Sequence, residues 1–217
     1  MVQILILAAV AAFLFWRLSL VLGIRTGFEK SVDLKGLEKV KAIKPDQENH
    51  SDVADEDDIS DYIELTSSSG QQLKKIKSFE PAFSVHNFVA GAKSAYEIIL
   101  MAFENGDLKV LKDHLTPDVY EDFETVVTDR INNGYTVDAT FVGLREIRIR
   151  NVVFAEENQS AEITLYFKCE LTSVVRDKND KIIEGSSSKV KAHSDTWTFG
   201  RIIGSNDPSW KLIATGE

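Results

Sequence analysis

The stretch from Phe83 to Asp107, reading FSVHNFVAGAKSAYEIILMAFENGD, constrains the fold more than any other part of the chain. Phe88, Ala92, Ala95, Ile99, Ala102 and Phe103 recur at three- and four-residue spacing, so they fall on one side of a helix. Ser84 stands where its hydroxyl can cap the first turn, and Gly106 where a left-handed residue can end the last. Gly91, Ala92 and Ala95 are small enough to let another element approach, while Tyr96 and Phe103 are the bulky members of the surface. A helix with one apolar stripe has to bury it, so the later elements are expected to pack on that stripe as a cone of helices and strands.

Those later elements can be read in order. Asp107 caps a second, short helix through Leu115, and Thr116-Pro117, a cap residue with proline at the first helical position, opens a third. The third helix is expected to reach about Asn132, with Val119, Phe123, Val126, Val127 and Ile131 inward and Gly134 at its end. From Tyr135 the period shortens. Phe141, Ile147 and Ile149 among Arg145, Glu146, Arg148 and Arg150 read as a long strand, with Gly143 marking a bulge. Ile163, Leu165, Phe167, Cys169 and Leu171 alternate strictly with polar residues and form the clearest strand. A turn at Asp177–Asp180, a strand from Ile182 to Phe199, a turn at Asn206-Asp207-Pro208 and a strand from Trp210 to Thr215 complete the pattern. The expected class is α+β, with about three helices on one face of a twisted antiparallel sheet of about four strands.

The chain opens with a different kind of segment. From Val2 to Ile24 the only charged residue is Arg17. These 23 residues, rising about 1.5 Å each as a helix, reach about 34 Å, enough for a hydrocarbon core of about 30 Å. Residues 1–24 are therefore expected to form a transmembrane anchor, with Leu5, Leu7, Phe13, Phe15, Trp16 and Leu20 in the span. The long stem of Arg17 can reach the headgroups beside Trp16. A cleaved signal peptide fits less well: no Lys or Arg precedes the apolar run, and Phe13 to Arg17 offers no small-residue cleavage site. Arg25, Lys30, Lys35, Lys39, Lys41 and Lys44 follow the span, which orients a single-pass protein with its carboxy-terminal domain facing the cytoplasm or a matrix-like equivalent. The absence of an Arg-rich, acid-poor presequence favours a bacterial inner membrane.

Beyond these lysines the sign of the charge reverses. Pro45 to Glu64 holds nine acidic residues and no Lys or Arg; without them the chain has 25 acids and 25 bases, against a formal net charge of −9 for the whole. The net charge of −9 argues against nucleic acid as a main partner. The acidic block ends in Thr66-Ser67-Ser68-Ser69-Gly70, and residues 25–75 are expected to be a basic, then acidic, disordered linker ahead of a domain over residues 76–217. Gln71 to Ser78, with Lys74, Lys75 and Lys77, reads as a basic approach segment able to lie on a membrane or a partner. Asp55 and Asp57 suit the first and third positions of a calcium loop, but Ile59 and Thr66 at the fifth and twelfth do not, so no metal site is assigned. The single cysteine, Cys169, excludes an internal disulfide and alternates with core residues as a small buried hydrophobe.

Several residues, taken together, carry a resemblance. Gly91-Ala92-Lys93, Ala95-Tyr96, Ala102-Phe103, Gly106-Asp107-Leu108, Arg130 with Gly134, Asp195-x-Trp197-Thr198-Phe199-x-Arg201 and Pro208-x-Trp210-x-Leu212 resemble the Tim44-like domain family, over about residues 76 to 215. That family contains the matrix-side motor-anchor subunit of the mitochondrial presequence translocase, bacterial inner-membrane relatives and a mitochondrial ribosomal protein. The resemblance implies a cone-shaped domain of the nuclear-transport-factor-two type, peripheral or anchored at an inner membrane. It also implies binding of proteins, membranes or ribosomes, with no defining catalytic residues. A membrane span stands where the mitochondrial subunit has a long, coiled, chaperone-binding region, so motor anchoring itself is not carried over.

The same broad fold hosts isomerases and dehydratases, and one pair of residues invites comparison with them. On the third strand His193 and Asp195 share a face with Trp197 and Phe199, and could form a base with its orienting carboxylate in a cavity walled by Tyr96. No second carboxylate, metal triad or phosphate loop supports catalysis, so no catalytic, cofactor or metal residue is assigned. The expectation is a non-enzymatic, membrane-anchored interaction domain acting in protein translocation or membrane-protein biogenesis. Tyr96, Phe103, Trp197 and Phe199 would form an apolar groove between the principal helix and the sheet, with inner-membrane lipid and a translocase or chaperone-type protein as partners. The alternative is a small-molecule or lipid-binding pocket, with or without isomerase-like chemistry.

Overall fold

The computed structural model describes residues 57–216. The expected span over residues 1–24, with Leu5, Leu7, Phe13, Phe15, Trp16 and Leu20, lies outside the described residues. Among the described residues, no helix is long and apolar enough to cross a membrane.

A helical turn at residues 57–60 leads to α1 (Ser68–Phe79), α2 (Val85–Asn105), α3 (Leu108–His114) and α4 (Pro117–Asn132), and then β1 (Thr136–Ala155), β2 (Ser160–Arg176), β3 (Ile182–Ile202) and β4 (Lys211–Gly216). The strands lie in the order β1-β2-β3-β4, each antiparallel to the next. The α+β expectation holds, with four helices, rather than about three, ahead of a four-stranded antiparallel sheet.

α2 has the ends its sequence specifies. The Ser84 side chain accepts from the Asn87 N–H, and Gly106, at φ 71°, ends the helix in the left-handed conformation. Asp107 caps α3 through the Val110 N–H, as expected. Thr116 differs: its hydroxyl makes no cap and donates instead to the Leu212 carbonyl at 3.2 Å, tying the start of α4 to β4. On α4, Val119, Phe123 and Val127 are buried as expected, but Ile131 is 62% exposed. The last turn of α4 runs past the core, so its apolar periodicity outlasts the surface it packs on.

The alternation on β2 becomes one face of the core. Ile163, Leu165, Phe167 and Cys169 have no solvent exposure, and their register partners on β3 are Phe199, Trp197, Asp195 and His193. β1 is interrupted at Phe141/Gly143, Leu144/Glu146 and Ile149/Asn151, where an extra residue bends the strand. β3 is interrupted more deeply: Leu171 faces Lys191 and Ser173 faces Ser186, so residues 187–190 loop out of the ladder.

Residues 57–75, expected as linker, are folded onto the domain. Ile59 is 1% exposed, and Leu73 and Ile76 on α1 are fully buried. The segment is too polar to fold alone, but it docks on a core that α2 and the sheet already supply, which needs only a few apolar side chains. Gln71 to Ser78 is the middle of α1, and Lys77 is 8% exposed, so this lysine faces the protein rather than headgroups. Asp58 is the polar counterpart of Ile59. Its carboxylate accepts from the amides of Val85 at 2.8 Å and His86 at 3.0 Å, and from Lys77 Nζ at 2.8 Å, sealing the start of α2.

Candidate interaction groove

The four residues expected to line a groove separate into a core cluster and an outlier. Tyr96 stacks on Phe167 with centroids 4.3 Å apart and planes 5° from parallel, and meets Trp197 at 4.6 Å. Trp197 in turn lies 6.4 Å from Phe199. Phe103 is not part of this cluster; it packs against Phe123 at 5.0 Å, under the guanidinium of Arg130 at 4.3 Å. Tyr96 is 0% exposed, Trp197 4% and Phe199 1%, so their shared surface is filled core rather than an open groove. The reason is local: the stacked Phe167 ring occupies the space beside Tyr96 that a groove would need.

The polar end of that cluster is a hydrogen-bonded column. The Tyr96 hydroxyl donates to Asp195 Oδ2 at 2.6 Å and lies 3.2 Å from Cys169 Sγ, while His193 Nε2 is 3.3 Å from Asp195 Oδ1. Burial and the Asp195 carboxylate push the Tyr96 phenol far up, and burial raises the Cys169 thiol, so both stay protonated. Its hydrogen bond to Asp195 raises His193 above the ordinary imidazole value. Glu104 is raised by burial, against the pull of Arg130 and His193. The column joins α2, β2 and β3, and its Tyr96 end is closed to solvent. Chemically, it satisfies a part-buried carboxylate with two donors.

The opening lies one step further along α2. A cavity of about 330 Å³ is bounded by the 80–84 connection, the first half of α2 and the strand ends at Phe199, Arg201 and Trp210. That volume is at the small end of the range for ligand sites. Its walls are aromatic: Phe88 meets Trp210 at 4.7 Å edge to face, and Phe83 lies 6.0 Å from Trp210. Its helical side is made of Gly91, Ala92 and Ala95. A Cβ added at Gly91 would find nothing within 4 Å, so the groove is open along that side.

One polar device sits in this apolar surface. Arg201, with a side chain 9% exposed, pairs with Glu80, which also accepts from the Gly204 amide at 3.0 Å. Burial alone would raise Glu80, but Arg201 and the Gly204 amide outweigh it and hold the carboxyl below its usual value. The guanidinium also lies over the Trp210 ring at 5.6 Å. The pair fixes the 80–84 connection against β3, which sets the width of the groove. Of the four residues expected to line a groove, Tyr96, Phe103, Trp197 and Phe199, Phe199 alone lines this cavity. Phe88, Ala92 and Ala95 were read on the apolar stripe of the helix, Gly91 as a small residue, and Arg201 and Trp210 within a motif; the pairing of Glu80 with Arg201 spans 121 positions and leaves no local signal.

Residues 69–217 match the family described as the Tim44-like domain. The chain is 24% identical over 161 residues to "Mitochondrial import inner membrane translocase subunit TIM44-1" of Arabidopsis thaliana, an alignment that covers 71% of this chain and 34% of that protein. The chain thus spans about a third of the length of this curated relative. Among solved structures, the intermembrane space region of chloroplast protein ARC6 aligns with a TM-score of 0.41 and 13% identity, over 59% of this chain and 94% of that one. A conserved protein from Planctomyces limnophilus DSM 3776 aligns at 0.38 and 17%, over 61% and 95%. These scores are too low to carry an argument about function. The match over residues 69–217 is of another order, and on it the chain belongs to the Tim44-like domain family.

Proposed function

We propose that this protein is a membrane-anchored interaction domain acting in protein translocation or membrane-protein biogenesis, and that the groove beside Gly91 receives apolar side chains of a partner polypeptide. Family membership supports the process, since the curated relative is a translocase subunit. The observation that carries the site is the aromatic cavity of about 330 Å³, open on the small-residue side of α2 and held at fixed width by the Glu80–Arg201 pair. A groove of this kind suits one or two apolar anchors presented by a helix or an extended segment. The leading apolar residues 1–24 would hold the domain at an inner membrane in single-pass orientation, with the groove on the cytoplasmic side. Translocase or chaperone-type proteins are the partners this reading names.

Photo-crosslinking in cells from a probe replacing Asn87, which lines the groove and is exposed, tests it. Translocase components or polypeptides in transit are the expected products. Capture of lipid or a small metabolite alone would overturn the protein-partner reading and favour a pocket for small molecules.

A further inference from the structure

Polar side chains around the groove are few: Glu80, Ser84, Asn87 and Arg201. The first three are accounted for. The Ser84 hydroxyl accepts from the Asn87 N–H and donates to Asp58 Oδ1, both at 3.2 Å. Glu80 takes Arg201 and the Gly204 amide, and Asn87 is exposed, so water serves its side chain. Arg201 is different, because its side chain is nine-tenths buried and most of its five N–H donors lack a good acceptor. One Nη2–H meets Glu80, one Nη1–H reaches the Pro208 carbonyl only at 3.5 Å, and the Nε–H has no acceptor among the described residues. A buried donor left unpaired costs free energy until an oxygen is supplied. Arg201 lines the cavity, so an occupant of the groove is placed to supply it.

We propose that the groove recognises an extended stretch of polypeptide, taking one apolar side chain against Phe83, Phe88 and Trp210 and one main-chain carbonyl of the same stretch on Arg201. This rests on the reading of the groove as a polypeptide site and narrows it. Two features select the occupant. The guanidinium is already paired with Glu80, so its charge is balanced. An anionic oxygen, from a phosphate or a free carboxylate, would meet the Glu80 carboxylate along with the guanidinium, whereas a peptide carbonyl accepts without adding charge. The second feature is the need for a free carbonyl. Inside a helix each carbonyl already accepts from the N–H four residues on, and only the last turn leaves any unengaged. An extended segment offers one beside every side chain. Because every peptide bond carries this acceptor, the contact asks for an apolar residue but for no particular sequence around it, which suits a site that meets many different polypeptides.

The test uses the full chain in phospholipid nanodiscs, with fluorotryptophan in place of tryptophan and the Trp210 fluorine signal assigned through Trp210→Phe. The probe is a short acetylated and amidated peptide, one leucine flanked by serines and prolines, which cannot become helical. Titration should shift the Trp210 signal. Replacing one of the two peptide bonds beside the leucine with an alkene, which keeps the extended shape and removes the carbonyl, should weaken binding about tenfold. In Arg201→Lys, which keeps a cation for Glu80 but has no Nε–H, the peptide and its alkene analogue should bind alike. A lactam-stapled helix with the same leucine should bind no better than the alkene analogue, and a peptide ending in a free leucine carboxylate no tighter than its amide. An alkene analogue or stapled helix that binds wild type as tightly as the extended peptide, or a free acid that binds more tightly, overturns this inference and leaves the groove a polypeptide site. If no peptide shifts the Trp210 signal, the groove reading itself falls, and this inference with it. Should circular dichroism show Arg201→Lys misfolded, the comparison of peptides on wild type decides alone.

Discussion

Lys77 and Asp58 form an ion pair with side chains 8% and 16% exposed, Nζ to Oδ2 at 2.8 Å, at the point where the segment before α1 meets the first turn of α2. The ammonium also donates to the Phe83 carbonyl at 2.9 Å, so one lysine holds the strap, the α1–α2 connection and the helix cap together. Asp58→Ala removes the carboxylate from a nearly buried ammonium and the acceptor from two amides. A loss of about 3 kcal/mol in urea unfolding is expected, against a few tenths for Asp61→Ala on the exposed side of the same turn.

The same contact makes stability depend on acid. Burial alone would raise the Asp58 carboxyl, but Lys77 and the amides of His86 and Val85 outweigh it and hold it at about 2, below the usual 3.8. A folded value below the unfolded one stabilises fully above about pH 4 and is lost as pH falls through about 2, an effect of about 2 kcal/mol. The gap in urea midpoint between wild type and Asp58→Asn should therefore narrow steadily on acidification. A gap independent of pH would refute the assigned role.

Two glycines separate a packing requirement from an open surface. A Cβ at Gly70 would stand 2.3 Å from the Glu64 carbonyl oxygen, backbone that cannot move aside, whereas one at Gly91 meets nothing within 4 Å. Gly70→Ala is expected to cost about 2 kcal/mol, and Gly91→Ala to gain up to about 1 kcal/mol from the lower entropy of the unfolded chain. Thermal melts of the two variants should shift in opposite directions.

How much of this could be read in advance depended on how local the cause was. Both ends of α2, the cap at Asp107 and the alternation of β2 were legible because one residue and its near neighbours determine them. The strap was not. Ile59 and Asp58 sit in an acidic, Ser-rich stretch whose composition matches a linker, and only contact with Lys77 and Val85, 19 and 27 positions away, gives them a place. Aromatic side chains on α2 and β3 do face one another as their spacing suggested, but Phe167 fills the space beside Tyr96, and the cavity lies instead toward Gly91 and Trp210.

Tyr96 tests the column. Tyr96→Phe keeps the ring stacked on Phe167 but removes the donor from Asp195, a part-buried carboxylate, and should cost about 1–2 kcal/mol. Cys169, buried and with its thiol pushed up, should react with thiol reagents in wild type only as fast as the protein unfolds. In the Phe variant that reaction should accelerate along with the loss of stability. A Cys169 that labels rapidly in the native protein would show that the column is open to solvent.

The proposed anchoring is separable from folding. Deleting residues 1–24 should move the protein from the membrane to the soluble fraction while its thermal melt is retained, because α1 through β4 form their own core. If the deletion protein remains wholly on membranes at high salt, something other than the leading segment anchors it.

The most direct test of the groove is the yield of photo-crosslinked polypeptide from a probe at Asn87, compared between Gly91→Ala and Ala95→Trp. The first variant leaves the groove open, and the second fills it from the small-residue side of α2. Crosslinking should persist in the first and disappear in the second, with both proteins folded by circular dichroism. Equal yield from the two variants would contradict the assignment of this groove as the site that receives the partner.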